Sequence, residues 1–244
     1  MSKFGLIGKN IDYSFSKAHF TTKFENEALR YSYENFDIDN ILQYPEILKN
    51  DTTILGLNVT IPYKEKIIPY LDGLNKTASE IGAVNTIKIH PSGKTEGFNT
   101  DYYGFKKSIE PHLMSHHKNA LILGTGGASK AVAYALKRLK IRYDYVSRSA
   151  NPLAKYLYTD LTEEIVKNHQ VIINCTPIGT HPNVNECPDI PYDGITKEHL
   201  LYDLIYNPIQ TKFLMCGEIL GATICNGSKM LEYQADKAWD IWTK

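Results

Sequence analysis

No stretch of this sequence is long and apolar enough to cross a bilayer, neither charge sign prevails, and the four cysteines never fall in a C-x-x-C pair. Each absence removes a class of function. Without a run of about 20 apolar residues, no membrane span is expected. Lys plus Arg and Asp plus Glu both number 27, so no whole-molecule field recruits DNA, RNA or an anionic membrane, and neither is an expected partner. Cys175, Cys187, Cys216 and Cys225 are too scattered for a zinc knot or a redox dithiol, and reduced, structural thiols are expected. The opening apolar run, residues 4–8, is too short for a secretory signal, which points to the cytoplasm. Asn58-Val59-Thr60 and Asn75-Lys76-Thr77 spell the glycosylation sequon, but without such a signal they need another explanation.

The chain also lacks internal repeats, low-complexity tracts and a flexible linker. At 244 residues with 43% apolar content, it can build two modest domains or one large one. Strand-like and helix-like segments alternate throughout, the pattern of open α/β sheets covered on both faces. Two such units are legible, and short connections between them predict two open α/β domains flanking a cleft. The first has expected strands at residues 3–8, 31–37, 54–60, 83–90 and 94–99, with helices starting at Lys17, Asn40, Tyr63 and Asn75. Pro91-Ser92-Gly93 marks a turn, so the last two strands read as a hairpin.

The second unit opens with a helix after Asp101. Strands follow at residues 119–123, 142–146, 170–174, 200–204 and 222–225, a Rossmann-type doubly wound parallel sheet. Asn151-Pro152 and the brief connection from Ser149 to Thr162 predict a short or missing helix and a trimmed sheet edge there. From Ser228 to Trp242, Met230, Leu231, Ala235, Ala238, Trp239 and Trp242 recur at three- and four-residue steps, which predicts a closing amphipathic helix.

Leu121-Ile122-Leu123-Gly124-Thr125-Gly126-Gly127-Ala128 runs from an apolar strand through a glycine-rich turn toward an alanine-rich helix. That is the entry to a dinucleotide site. Gly124 permits a turn that a Cβ would obstruct, and Gly126 lets backbone N–H groups approach a pyrophosphate at the positive end of the helix. Gly127 and Ala128 leave room for that contact, and Ala131 stands where the fuller fingerprint has its third glycine. About 20 residues on, an NAD site carries an acid at the strand tip. Here Asp144 lies inside the strand pattern, while the tip offers Ser147, Arg148 and Ser149, a guanidinium fork between two hydroxyls. NADP is favoured.

Polar residues also gather at strand tips in the first unit. Asn58-Val59-Thr60-Ile61-Pro62-Tyr63-Lys64 ends a buried-looking strand, and Pro62 suits the first position of a helix. Lys64 in its first turn opposes the helix dipole, so a lowered amine pKa is expected unless an acid compensates. Asp101 closes another strand tip and reads either as a proton-transfer partner of Lys64 or as a helix N-cap. Ser14 and Ser16, in extended chain, point the same way and suit a carboxylate; taken by itself, Ser16 reads first as the cap of the helix from Lys17. His112, His116 and His117 cluster without a supporting acid, and no metal is expected.

Taken in order, these motifs resemble the shikimate dehydrogenase family from the first strand to the final helix. The chain carries Ser-x-Ser at Ser14 and Ser16, Asn-Val-Thr-x-Pro-x-Lys ending at Lys64, Gly-Ala-Val-Asn-Thr at residues 82–86 and Asn-Thr-Asp ending at Asp101. The glycine loop, Asn-Cys-Thr-Pro-Ile-Gly at residues 174–179, Asp-Leu-Ile-Tyr-Asn-Pro at residues 203–208 and Gln234-Ala235 match the second half. It departs in having Lys17 and Phe20 where the family has Pro and Asn, Ser147 beside Arg148 in place of Asn, and Ser228 where glycine is common.

The resemblance implies a substrate-binding domain over residues 1–101, completed by the helix 228–244, and an NADP-binding domain over 102–227. It implies Lys64 and Asp101 as the catalytic pair, Ser14 and Ser16 on a carboxylate, and Thr60, Asn85, Tyr206 and Gln234 around the substrate. By the same likeness Gly124, Gly126, Gly127 and Ala128 hold the pyrophosphate, and Ser147, Arg148 and Ser149 the 2′-phosphate. Thr176, Ile178, Ile205 and Gly227 surround the nicotinamide and its ribose. The implied reaction is reversible NADPH-dependent reduction of 3-dehydroshikimate to shikimate by a monomer or homodimer. Alternatives are a quinate/shikimate dehydrogenase using NAD, and a non-catalytic metabolite-binding regulator of the same fold.

Overall fold

The computed structural model describes residues 1–11 and 14–244 and divides into two compact units, Met1–Thr100 with Gln234–Lys244, and Asp101–Tyr233. The first contains β1 (Ser2–Gly8), α1 (Phe15–Asn26), β2 (Tyr31–Asp37), α2 (Tyr44–Asn50), β3 (Ile54–Val59), β4 (Gly73–Leu74), α3 (Lys76–Ile81), β5 (Thr86–Ile89) and β6 (Thr95–Phe98). Its sheet runs β2-β1-β3-β5-β6-β4. β1 is parallel to β2 and β3, whereas β5 is antiparallel to both β3 and β6. The β5–β6 hairpin turns at Gly93, whose φ of +83° suits a residue without a Cβ.

Side-chain alternation along β1 explains the two cores of this unit. Phe4 and Leu6 join Phe20, Phe24, Tyr33 and Trp242 on one face, while Ile7 joins Leu57, Ile87 and Tyr63 on the other. The first face is closed by the last helix, α8 (Ser228–Thr243), whose Gln234, Ala238 and Trp242 recur at four-residue steps and are all buried. Trp242 lies over Gly56, where a Cβ would overlap the indole, and its Nε1 donates to the Ile87 carbonyl at 2.9 Å. This contact ties the end of α8 to the sheet.

Three expectations for this unit are corrected. Helix α1 begins at Phe15, and its cap is Ser14, not Ser16: extended Ser14 accepts from the Lys17 N–H at 3.2 Å. Ser16 therefore lies in the first helical turn, and the period-two argument does not relate it to Ser14. No α-helix starts at Tyr63. The Lys64 carbonyl takes the Val84 N–H at 2.7 Å, which diverts it from the helical ladder, and Ile61–Pro62 is a cis peptide. Turns follow, then a 3-10 turn at Ile68–Tyr70, so no helix dipole acts at Lys64. The expected helix from Asn40 is broken: Asn40 caps a 3-10 turn, Ile41–Gln43, before α2. Asn75 caps α3 through the Thr77 N–H at 2.9 Å, which accounts for one sequon structurally.

The second unit contains α4 (Asp101–Ile109), β7 (Asn119–Leu123), α5 (Gly127–Arg138), β8 (Arg142–Ser147), β9 (Ala154–Leu157), α6 (Glu163–Lys167), β10 (Val171–Asn174), β11 (Leu200–Asp203), α7 (Lys212–Ile219) and β12 (Thr223–Cys225). Its sheet runs β12-β11-β10-β7-β8-β9 with every neighbour parallel, the doubly wound Rossmann order. Both faces are buried: Ala120 and Ile122 point into one core, Leu121 and Leu123 into the other. The edge carries an unanticipated strand. Residues 148–153 contain no helix, and β9 pairs only with the last three residues of β8, so the chain retreats a short way before pairing. Among the described residues, no helix is long and apolar enough to cross a membrane.

Candidate active site

In the second unit, β7 ends at Leu123 and Gly124 turns the chain with φ of +103°, held by its N–H to the Val146 carbonyl at 2.9 Å. Gly126 is the N-cap of α5, and a Cβ placed on it meets nothing within 4 Å. The helix start thus faces open space. The Ser129 and Lys130 N–H groups fold back onto the Gly126 carbonyl, at 3.0 and 3.4 Å, as does the Ser129 hydroxyl at 2.7 Å. Gly126, Gly127 and Ala128 therefore present backbone at the positive end of a 12-residue helix, the geometry an anionic group needs. Ala131 is fully buried at the helix–sheet contact.

At the tip of β8, Arg148 and Ser149 are exposed and Ser147 is buried, its hydroxyl accepting from the Ser149 N–H at 3.4 Å. Ser147 shapes the turn that presents Arg148. Asp144 is committed elsewhere: one carboxylate oxygen takes Lys155 Nζ at 2.8 Å and His169 Nε2 at 3.1 Å. Those donors hold its pKa below the ordinary carboxylate value although burial opposes them. Asn151 Nδ2 donates to Thr125 Oγ1 at 3.3 Å and so links this tip to the glycine turn.

A second pair of loops is organised by Asp203, which sequence reasoning did not single out. Its Oδ1 accepts from Asn174 Nδ2 at 3.1 Å and the Ile205 N–H at 3.0 Å, and its Oδ2 from Thr211 Oγ1 at 2.6 Å. Asn174 Oδ1 in turn holds the Thr176 N–H and hydroxyl at 3.0 and 2.6 Å, and Asn174 Nδ2 reaches the Ile178 carbonyl at 3.3 Å. One buried carboxylate thereby fixes both Thr176–Ile178 and Ile205. Gly227 closes the group with its N–H to the Ile205 carbonyl at 3.1 Å, and a Cβ there would overlap the Leu204 carbonyl.

Burial pushes the Asp203 carboxyl up to about 6, although its three donors pull it down. A folded value above the ordinary 3.8 means the folded chain holds the proton more tightly. The contribution to stability is present below about pH 4 and is lost as pH rises through 6, on the order of 3 kcal/mol in all. Asp203→Asn cannot titrate. In urea unfolding, the stability of this variant relative to the parent is expected to rise by about that amount from pH 4 to pH 7; a difference independent of pH would remove the assignment.

In the first unit, Asn85 and Gln234 are brought together from positions far apart in sequence: Asn85 Nδ2 donates to Gln234 Oε1 at 3.3 Å. The chain of polar contacts continues inward. Asn58 Nδ2 reaches the Asn85 carbonyl at 3.2 Å and Thr86 Oγ1 at 3.3 Å, and Tyr33 donates to Asn58 Oδ1 at 2.8 Å. Asn58 is thus a buried structural amide, which explains the other sequon. The buried Tyr33 phenol has its pKa pushed far above the ordinary value, partly offset by a hydrogen bond from Ser16. Tyr33, Asn58, Thr86 and Thr100 were not named from sequence as site residues. The legible signal was a polar Asn inside an otherwise apolar strand.

Lys64 is half-buried, and its main-chain bond to Val84 sets it beside the segment that ends at Asn85. Thr60 continues β3, its N–H on the Ile7 carbonyl at 2.9 Å. Ser14 and Ser16 are half-buried at the start of α1. In the second unit Asp101 is buried as the first residue of α4, a favourable end for a carboxylate, and Tyr206 is 37% exposed. His117 uses its ring on the Met114 N–H at 2.9 Å and the Glu198 carbonyl at 3.1 Å, a structural role. Among the described residues, no three His, Cys, Asp or Glu side chains are placed to hold a metal ion.

Comparison with known proteins gives a consistent family. A family model described as the shikimate dehydrogenase substrate binding domain matches residues 6–87. A shikimate dehydrogenase (NADP(+)) of Methanococcus maripaludis is 40% identical over 98% of this chain and 90% of its own length. The crystal structure of shikimate dehydrogenase from Aquifex aeolicus superposes with a TM-score of 0.87 at 33% identity, covering 100% of this chain and 92% of that one. The Thermus thermophilus shikimate 5-dehydrogenase, solved with NADP(H) and shikimate, gives 0.88 at 28% identity over 100% and 94%.

Proposed function

The chain belongs to the shikimate dehydrogenase family, and on that premise we propose how its residues divide the reaction. The activity is the reversible NADP-linked interconversion of 3-dehydroshikimate and shikimate, an oxidoreductase step of the shikimate pathway. What carries this reading is the likeness over 98% of the chain to an NADP-dependent shikimate dehydrogenase.

Residues 1–101 with the closing helix 228–244 are the substrate-binding part, and residues 102–227 hold the nucleotide. The open space at Gly126 and the N-terminus of α5 fit a pyrophosphate, held by Gly124, Gly126, Gly127 and Ala128. Ser147, Arg148 and Ser149 receive the 2′-phosphate, and Thr176, Ile178, Ile205 and Gly227 bound the nicotinamide end. NADP, when bound, supplies the carrier for the hydride.

Ser14 and Ser16 hold the substrate carboxylate, and Thr60, Asn85, Tyr206 and Gln234 hold its ring oxygens. Lys64 gives a proton to the carbonyl oxygen during reduction and takes it back during oxidation. Negative charge grows on that oxygen, so an ammonium placed there stabilises the transition state more than the ground state. Asp101 orients that ammonium. The balanced charge supports a small-molecule enzyme with no nucleic-acid or membrane partner; we place it in the cytoplasm as a monomer or homodimer.

Purified protein given shikimate and NADP is expected to raise the near-ultraviolet absorbance of NADPH, with NAD or quinate far slower. Binding of shikimate without any absorbance change, with either nicotinamide, would mean that the chain is a metabolite-binding regulator.

A further inference from the structure

The Asn85 amide lies in a knot of buried polar groups. Thr86 and Thr100 are fully buried, and Asn58 and Asn85 are each 3% exposed, so the two threonine hydroxyls act only through their neighbours. Two backbone groups set the polarity of the whole knot. The Thr100 N–H is a donor only, and it bonds to Asn85 Oδ1 at 2.6 Å. That turns the Asn85 NH2 toward Thr100 Oγ1 at 2.9 Å and Gln234 Oε1 at 3.3 Å. The Asn85 carbonyl is an acceptor only and takes Asn58 Nδ2, which leaves Asn58 Oδ1 to receive the Tyr33 hydroxyl.

The threonines complete the pattern. Thr86 Oγ1 accepts from Asn58 Nδ2 at 3.3 Å and donates to Asn85 Oδ1 at 3.2 Å, so it bridges the two amides. Thr100 Oγ1 accepts from Asn85 Nδ2 at 2.9 Å and donates to Gln234 Oε1 at 3.4 Å. Reversing the Asn85 amide would set its NH2 against the Thr100 N–H in a buried position, leaving two donors facing each other. Gln234 Oε1 is consequently committed inward, and the other end of its amide is a pair of donors.

We infer that Thr86 and Thr100 are positioning residues, whose hydroxyls reinforce the Asn85 orientation that the backbone sets and hold Gln234 Oε1 inward, so that Gln234 meets a bound substrate oxygen as a hydrogen-bond donor. This rests on the reading above, in which Asn85 and Gln234 line the substrate site. It also specifies the partner: the oxygen opposite Gln234 acts as an acceptor, as a ring hydroxyl or ketone can.

Thr100→Val keeps the shape and the backbone N–H but removes the hydroxyl. The expected result is a rise of about tenfold in the KM for shikimate, with kcat and the KM for NADP within about threefold, the size of one buried hydrogen bond. Thr100→Ser returns KM to within about threefold of the parent. Thr86→Val should show the same split and carries the test if Thr100→Val folds poorly. Gln234→Ala is run alongside. If it leaves KM unchanged, the site reading fails and the inference with it. If it raises KM while both valine variants lower only the melting temperature, or serine gives no rescue, the positioning role is overturned and the site reading stands.

Discussion

Lys64→Ala is expected to reduce kcat by on the order of a thousandfold or more, while the affinity for NADPH stays within about twofold. The size follows from two losses at one atom. Removing the amine takes away the group that moves the proton, and it takes away the positive charge that stabilises the oxygen as it becomes negative. Nucleotide affinity is spared because the glycine turn and the β8 tip belong to the other compact unit. Lys64→Arg separates the two contributions: a guanidinium keeps the charge but does not surrender a proton near neutrality, so its kcat should lie between those of the parent and the alanine variant. Steady-state kinetics and an NADPH fluorescence titration measure both quantities. An alanine variant retaining a tenth of parental kcat would mean that the proton is handled elsewhere.

The second large effect concerns the nucleotide. Arg148→Ala is expected to lower kcat/KM for NADP by about a hundredfold and to change that for NAD by no more than about threefold. Arg148 is exposed at the end of β8, on a turn that Ser147 holds from beneath. Asp144, the acid in this strand, faces Lys155 and His169 instead of standing at the strand tip. No helix follows in residues 148–153, and Arg148 is accordingly the main source of positive charge offered by this tip. A bidentate guanidinium–phosphate contact is worth several times a neutral hydrogen bond, which sets the expected factor. Equal losses with the two nicotinamides would show that Arg148 supports the fold of the turn and does not read the phosphate.

Much of this was legible in sequence because its signals are local. Val171-Ile172-Ile173 and Leu121-Ile122-Leu123 are continuous apolar runs, as strands buried on both faces must be. The glycine turn is equally local, since a positive φ at Gly124 and a bare helix start at Gly126 each have a one-residue signature. What escaped notice depended on distant partners. Pro62 after an apolar strand suits a helix start, but the Lys64 carbonyl is claimed by Val84, twenty positions on, and the ladder stops after the single rung from Ile67 to Tyr63. Ser14 and Ser16 are equivalent as capping types, and only the phase of the helix distinguishes them. Strand β9 carries no strong pattern because it is short, lies at an edge and contains Lys155, a residue suited to such an edge.

The candidate site divides along the same line. Asn85 and Gln234 were named through family likeness, yet the residues that orient them come from β2, β3, β5 and the connection between β6 and α4, and no spacing rule joins those positions. Asp203 was visible as part of a motif, but its role in holding Asn174 and Ile205 exists only once β10 and β11 lie side by side. Buried polar groups of this kind must satisfy one another, so their meaning emerges from packing and not from local sequence.

The central claim is that shikimate lies in the first unit with its oxidisable hydroxyl against Lys64. A crystal structure of the protein soaked with shikimate tests this most directly. The account predicts that hydroxyl about 3 Å from Lys64 Nζ, with the carboxylate at Ser14 and Ser16 and a ring oxygen receiving a Gln234 N–H. Shikimate bound with its carboxylate at Lys64, or with the hydroxyl turned away from the amine, would contradict it.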